Sequence, residues 1–518
     1  MKIQPNNNPS ITYFPKYSKW IFTSLFLLLA FIYGYNEILF KPPQSTHMWR
    51  QCDCLSITTN YYENNNCFFE PSVHYLGDDG TGRTISEFPI IYYSLAKIWK
   101  IFGQHNFIYR LIILLFFFFG LFYLFKLIEK KLNDSILSII TTLFLFTSPT
   151  LVYFANNFLM DIPALSLAII GLYYFMEFCE TSSNKKLYLT ACFYSLAGLL
   201  KVSSLISFGA ILFLFGLELI NVKILPNKKL FNSPLKQFLI LFGVLLIQVI
   251  WYLYAANYNS KYNGGIFLIG ILPIWEIPSL QISNVFEAIR NHIRWDYFRI
   301  ETQVIFAVMF ISIIIFYKHV EKLLLTLTLT VFVGVALFML LFFQALKDHD
   351  YYTINLFVLT PLVLLTFLFL LKSKFPKIFY SIIFKILLLA LLIHNADFAR
   401  RRINDRYDKH SWYNQNYYQN MKVFETISPY LKSIGIKSTD RVISISDESI
   451  NISLLLMGQK GWTNYGINND TIAITQKIRL GAKYLLISKK DIRNQKNIQF
   501  YRHKKIGEFN NVEIYSLH

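Results

Sequence analysis

Along roughly the first four hundred positions, apolar residues come in long unbroken runs rather than at the spacing of an element that buries a single face. Runs of about 20 apolar residues are what a helix needs to cross a hydrocarbon core about 30 Å thick. They predict spans near 20–40, 107–128, 135–148, 161–179, 187–200, 204–221, 237–257, 304–317, 323–343, 353–371 and 378–396. That is about eleven helices, an odd number, so the two chain ends fall on opposite sides.

The connections between these runs alternate. Lys126, Lys130 and Lys131 fall in one, Lys185 and Lys186 in the next but one, then Lys223, Lys228, Lys229 and Lys236, then Lys318 and Lys322, then Lys372, Lys374 and Lys377. Short basic connections stay on the cytoplasmic side, which assigns these five to the inside. Lys2, Lys16 and Lys19 place the start of the chain there too, and no small-residue cleavage site follows Trp20–Phe40, so that run reads as a span. The long polar connections 41–106 and 258–301 then lie outside. The first holds a turn at Gly77-Asp-Asp-Gly80 and an amphipathic stretch, Ser86–Phe102, suited to a helix at the membrane surface.

After Asp397 the pattern changes. Arg400–Arg402, which on the outer side would meet anionic headgroups, lead through a polar linker into alternating apolar and polar positions. Arg441–Ser446, Tyr484–Ser488 and Val512–Leu517 read as strands, with helices near 418–434 and 469–482. The expected architecture is a polytopic α-helical membrane domain over 1–397, including the outer loop 41–106, and a small extracytoplasmic α/β domain over 398–518.

Composition narrows the function classes. The chain is 54% hydrophobic and 16% charged, against about a quarter charged for a soluble protein. The net charge of +19 does not indicate nucleic acid, because the lysines sit in topology-setting loops and no basic tract interleaved with aromatics occurs in a soluble segment. No glycine-rich phosphate loop is present, which argues against a nucleotide-linked donor. Cys52, Cys54 and Cys67 share the first outer loop, leaving open a Cys54–Cys67 bridge, a Cys52–Cys67 bridge or three thiols.

The densest polar cluster is His47-Met-Trp-Arg-Gln-Cys-Asp53, just after the first run. Ionisable residues beside lipid are costly to desolvate, so such a cluster marks a working site more readily than packing. Asp53 is either a helix cap or a general base, with His47, Trp49, Arg50 and Gln51 as substrate contacts. Glu87, after Ser86, is either a cap or a second acidic group. Asp161, in Asn156-Asn157-Phe-Leu-Met-Asp161-Ile-Pro163, stands where a helix re-enters the membrane and could cap it or hold a substrate group. Lys201, a lone cation between apolar runs, either snorkels to headgroups or neutralises a phosphate. Lys347, His349, Tyr351 and Tyr352 add a further outer cluster able to stabilise a phosphate leaving group. Asp53, Glu87 and Asp161 leave a divalent metal possible, although no recognisable ligand spacing occurs.

With these motifs in view, His47-x-Trp49-Arg50-Gln51-x-Asp53, Ser86-Glu-Phe-Pro89, Asn157-x-x-x-Asp161-x-Pro163, Leu200-Lys201 and His349-Asp-Tyr-Tyr352, the chain resembles glycosyltransferase family 39. These are the dolichyl-phosphate-mannose protein mannosyltransferases, within the C-type membrane glycosyltransferases. The resemblance covers roughly residues 20–396. It implies transfer of a sugar from a polyprenyl-phosphate carrier to a lipid, glycan or protein acceptor on the outer face of a bacterial inner membrane, with inversion. It also implies Asp53 as the first-loop catalytic aspartate, Asp161 as the second acidic position, and Lys201 with His349–Tyr352 as donor-phosphate contacts. Two departures stand out. Cys54 follows Asp53 where the eukaryotic members carry Asp-Glu. Glu87 occupies the region where related aminoarabinose transferases have a phosphate-binding lysine, a role open to Arg50 or Arg83 here. The alternative is a flippase for lipid-linked sugars, a class that commonly shows internal repeats, which this sequence lacks. A non-catalytic outer-face receptor, using residues 398–518 as its binding module, leaves the first-loop cluster unexplained.

Overall fold

A computed structural model describes residues 13–226, 228–267, 270–468, 470–492 and 496–518, so Lys2 lies outside the described residues. The chain divides into two compact units. One takes the chain up to Leu39 with Arg110–Val249 and Ile271–Asn404; the other takes Phe40–Tyr109, Ile250–Gly270 and Asp405–His518.

Every apolar run expected to span is helical. Among the described residues, seven helices are long and apolar enough to cross a membrane: Asn106–Leu132, Asp161–Thr181, Val202–Leu219, Pro234–Tyr262, Lys322–Leu341, Asp350–Lys374 and the one beginning at Ile382. The pair Ser279–Tyr297 and Ile300–Ile315, bent by 88°, raises this to eight if it is one broken span. The expected eleven are not reached, because three further helices fall short on length or polarity. Ser135–Leu145 has 11 residues, about 16 Å at 1.5 Å per residue. Asn184–Leu200 has 17 residues, and Pro15–Ile32 opens on the polar Pro-Lys-Tyr-Ser-Lys.

Within the first unit, small residues allow close helix contact. A Cβ on Gly120 would stand 2.8 Å from the Cα of Ser166, so the backbones meet there only because the side chain is a hydrogen. Asp134 caps Ser135–Leu145 by accepting from the Leu137 amide at 2.9 Å, and its other oxygen meets Lys385 at 2.5 Å, both side chains being buried. The five basic connections come together, as alternation requires. Lys130 and Lys131 pair with Glu180, Lys130 and Lys186 with Glu177, and Lys131 with Glu321. Lys228 donates to the Glu180 carbonyl, Lys322 to that of Lys223, and Lys372 to that of Leu132.

The second unit contains a five-stranded sheet: β1 (Arg441–Ser444), β2 (Lys460–Thr463), β3 (Ala482–Ser488), β4 (Lys505–Phe509) and β5 (Val512–Ser516), in the order β2-β1-β3-β5-β4. β1 runs parallel to β2 and β3, while β5 is antiparallel to β3 and β4. The sequence pattern predicts β1, β3 and β5, whose Val442, Ile443, Leu485, Leu486 and Ile514 are buried. It misses β2 and β4. Each is short and contains glycine and lysine, residues with little β preference. Gly461 in β2 faces the β1 backbone so closely that a Cβ would come within 1.8 Å of the Val442 carbonyl oxygen. The helix expected over 418–434 is broken into Tyr417–Met421, Val423–Thr426 and Ser428–Ser433, with Pro429 opening the last. Near 469–482 the helix runs Thr471–Arg479, capped by the Asp470 side chain.

The first outer loop belongs to this same unit. Tyr75 forms a parallel bridge with Gly461, and Leu76 N–H donates to the Gly461 carbonyl at 2.8 Å, so residues 74–76 cover the β2 edge. Trp462 donates its indole N–H to the Gly77 carbonyl at 2.6 Å, and Lys477 pairs with Asp78 at 2.6 Å. The amphipathic stretch forms helix Ile90–Phe102, which buries Ile91, Tyr92, Leu95, Ala96 and Trp99. It starts after Pro89, not at Ser86. Cys52, Cys54 and Cys67 are all free thiols in this structure, the first two buried, so neither bridge is formed.

Candidate functional site

The cluster around Asp53 is built on helix Met48–Asn64, whose mixed polar sequence is buried along most of its length. His47, in the left-handed conformation at φ 54°, turns the chain into this helix. Gln51, fully buried, donates from Nε2 to the carbonyls of Gln44 and Thr46, each at 2.9 Å, which pins the incoming loop to the first turn. Its amide nitrogen therefore holds the fold. Trp49 is 46% exposed.

On the same turn, Arg50 pairs with Glu87 and lies over the Phe267 ring at 5.2 Å. Glu87 also accepts from the Ser86 hydroxyl. It thus serves as the arginine's counter-ion and not as the cap of the helix that begins at Ile90. Arg83, the other candidate cation, is engaged elsewhere, stacked on Tyr262 at 4.6 Å.

Asp53 is 4% exposed, and its Oδ1 accepts from Asn451 Nδ2 at 2.8 Å. Burial raises its carboxyl to about 7 from the ordinary 3.8. Arg50 and the Asn451 hydrogen bond pull it down, while Glu87 and Asp447 push it up. A carboxylate in that range exchanges a proton readily near neutrality, which a general base requires and a solvated cap does not offer. Next to it, burial pushes the Cys54 thiol up to about 12, and the Tyr92 hydroxyl donates to its sulfur. Cys54 is therefore a neutral neighbour and not a nucleophile.

The other predicted residues form a separate cluster in the first unit. Asp161 is the first residue of helix Asp161–Thr181, and its carboxylate stands 3.6 Å from Lys201 Nζ. Lys201, extended at φ −160° between two helical segments, also lies over the rings of Tyr351 at 5.5 Å and Tyr352 at 5.2 Å. His349 stacks on Tyr352 with centroids 5.7 Å apart. Asp161, Lys201, His349, Tyr351 and Tyr352 are thus brought together from three chain segments, while Lys347 is exposed.

Sequence reasoning overlooked two residues. Arg110 is fully buried, donates to the Asn156 carbonyl at 2.7 Å and lies 4.4 Å over Phe158, bracing the turn before Asp161. A lone arginine inside an apolar run was the available signal. Asn451 carried no local signal. Among the described residues, no three His, Cys, Asp or Glu side chains gather in a way that could hold a metal ion.

The family model of dolichyl-phosphate-mannose-protein mannosyltransferase matches residues 86–252. No curated protein matches by sequence. Among solved structures, ArnT from Cupriavidus metallidurans bound to undecaprenyl phosphate is similar, with a TM-score of 0.61 at 10% identity, over 96% of this chain and 98% of that one. Its apo state scores 0.62 at 9% identity over the same shares. The Archaeoglobus fulgidus oligosaccharyltransferase in complex with Zn and sulfate scores 0.57 at 12% identity, over 90% of this chain and 68% of that one. At such identities the likeness is one of fold.

Proposed function

We propose a reaction for this integral membrane protein, whose fold is that of the C-type membrane glycosyltransferases and whose residues 86–252 match the protein mannosyltransferase family. It moves a sugar from a polyprenyl-phosphate donor to an acceptor on the outer face of the membrane, with inversion at the anomeric carbon. The buried Asp53, held near neutrality beside Arg50 and Glu87, carries this reading. A carboxylate in that state takes the proton of an acceptor hydroxyl as the oxygen attacks the anomeric carbon. The bond from that carbon to the phosphate oxygen breaks on the opposite face, and the polyprenyl phosphate leaves with the electron pair. Phosphate is a good leaving group, so one base suffices without a strong acid.

Lys201, steadied by Asp161 and the Tyr351 and Tyr352 rings, is the residue assigned to the donor phosphate, with His349 beside it. The structural neighbour bound to undecaprenyl phosphate supports a lipid-phosphate donor. His47 and Trp49, at the start of the Asp53 helix, remain candidates for contact with the sugar or acceptor. The bacterial inner membrane, with residues 41–106 and 398–518 on its periplasmic side, is the assigned location.

The test is transfer from radiolabelled polyprenyl-phosphate sugars by the purified protein in lipid, wild type against Asp53→Ala. Transfer by wild type and its loss in the variant is the expected result. Equal transfer by both removes Asp53 from the role of base, and label that only crosses between leaflets makes the protein a flippase.

A further inference from the structure

Asp53 and Asn451 are 398 positions apart, yet their side chains meet in the interior of one unit at 2.8 Å. The direction of that hydrogen bond is set by a third group. Tyr75 N–H, which can only donate, is 2.9 Å from Asn451 Oδ1. The oxygen end of the amide is therefore engaged by the first outer loop, and the NH2 end must face Asp53. Asn451 itself is held stiffly. It stands at the start of helix Ile452–Met457, after a loop folded around Asp447. The Asp447 carboxylate accepts from the amides of Ser449 at 2.8 Å and Ser453 at 2.6 Å, and its carbonyl accepts from the Asn464 amide at 2.8 Å. Asn451, Asp447 and Ser453 are all fully buried.

We propose that Asn451 is the positioning residue of Asp53, donated by the C-terminal α/β domain to orient the carboxylate and favour its ionised form. This rests on the reading of Asp53 as the base. With one lone pair of Oδ1 taken by Asn451, Oδ2 is the oxygen assigned to receive the acceptor's proton. A donor on a carboxylate stabilises its charged state and opposes the burial that would keep it protonated. The other charged and titratable groups facing Asp53 are Arg50 on its own helix, Glu87 before the surface helix, and Asp447 in the sheet loop, with Cys52 and Cys54 on either side. Of these groups Arg50 alone supports ionisation, so loss of the Asn451 donor removes one of two favourable partners. The C-terminal domain is on this account a part of the catalytic centre.

Asn451→Asp separates the role from simple packing. It keeps an oxygen for Tyr75 N–H, and so keeps the loop docked, but replaces the donor to Asp53 with a like charge. Infrared titration of the full-length protein in lipid, with Asp53→Asn to assign the carboxyl band, reads the protonation of Asp53 without turnover. The midpoint is expected to rise by about one pH unit or more in Asn451→Asp. The acid limb of the transfer rate moves with it, and kcat at neutral pH falls about fivefold or more with donor KM unchanged. Should Asn451→Asp fail to fold, Asn451→Ala removes the donor without adding charge and is expected to give a smaller rise. An unmoved midpoint in a folded variant overturns the proposal. Absence of transfer by wild type overturns the glycosyl-transfer reading alone, because the infrared midpoint still reports on Asn451.

Discussion

Replacing Asp53 by Asn makes an unusual prediction: the variant loses transfer but gains stability, and gains it only at higher pH. Burial raises the Asp53 carboxyl from 3.8 to about 7 in the folded chain, against the pull of Arg50 and Asn451. The folded state therefore binds a proton more tightly than the unfolded state. Below the unfolded value the carboxyl is neutral in both states and costs nothing. As pH rises from about 4 towards 7, unfolding releases the proton, so stability falls, and above 7 the cost is constant. A shift of about three units corresponds to ~4 kcal/mol at 1.36 kcal/mol per unit, present in full above neutrality. Asn is neutral throughout and escapes this cost, while its side-chain oxygen can still accept from Asn451. The stability difference between Asp53→Asn and wild type should grow by ~3 kcal/mol between pH 5 and pH 8, in favour of the variant. Equilibrium unfolding of the two proteins in the same detergent at both pH values measures it. A difference that stays constant, or shrinks as pH rises, refutes the argument that Asp53 is held in the fold against its own ionisation.

Other expected outcomes follow from single contacts. Lys201→Gln removes the cation that stands 3.6 Å from Asp161 and over two tyrosine rings. Donor KM should rise roughly tenfold with kcat much less affected, and a fall in kcat at constant KM contradicts a donor-binding role. Gly461→Ala puts a methyl group 1.8 Å from the Val442 carbonyl oxygen, a clash with backbone that no side-chain rotation relieves. It should destabilise the C-terminal sheet by more than about 4 kcal/mol, read as rapid proteolysis after residue 405; wild-type resistance to protease counts against the β1–β2 pairing.

The membrane helices were readable from the chain because the signal is local. An apolar run long enough to span must form its own backbone hydrogen bonds wherever it lies in lipid. The lysines of the alternate connections were equally plain, and their meeting around Glu177 and Glu180 follows from that alternation. Runs such as Ser135–Leu145 were recognisable as helices, but their true ends depend on caps such as Asp134, so the span count did not follow from hydropathy. In the C-terminal domain the apolar strands β1, β3 and β5 declared themselves, while β2 and β4 depend on neighbours already in place.

The polar cluster at His47–Asp53, the lysine at 201 and the carboxylate at 161 likewise stand out in sequence, because charge in an apolar chain is costly and conspicuous. Which groups each one meets was decided by the fold. Glu87 reads equally as a cap or a site residue until Arg50 is seen beside it, and nothing along the chain shows that the Gln51 amide holds the Gln44 and Thr46 carbonyls. Asp53 owes its state to burial, to Arg50 and to an asparagine 398 residues away. By itself the sequence determined that the chain enters a membrane and which residues it could not afford to bury idly. Only the tertiary structure decided their partners, because desolvation and hydrogen bonding depend on what surrounds a group in space, and no pattern along the chain records that.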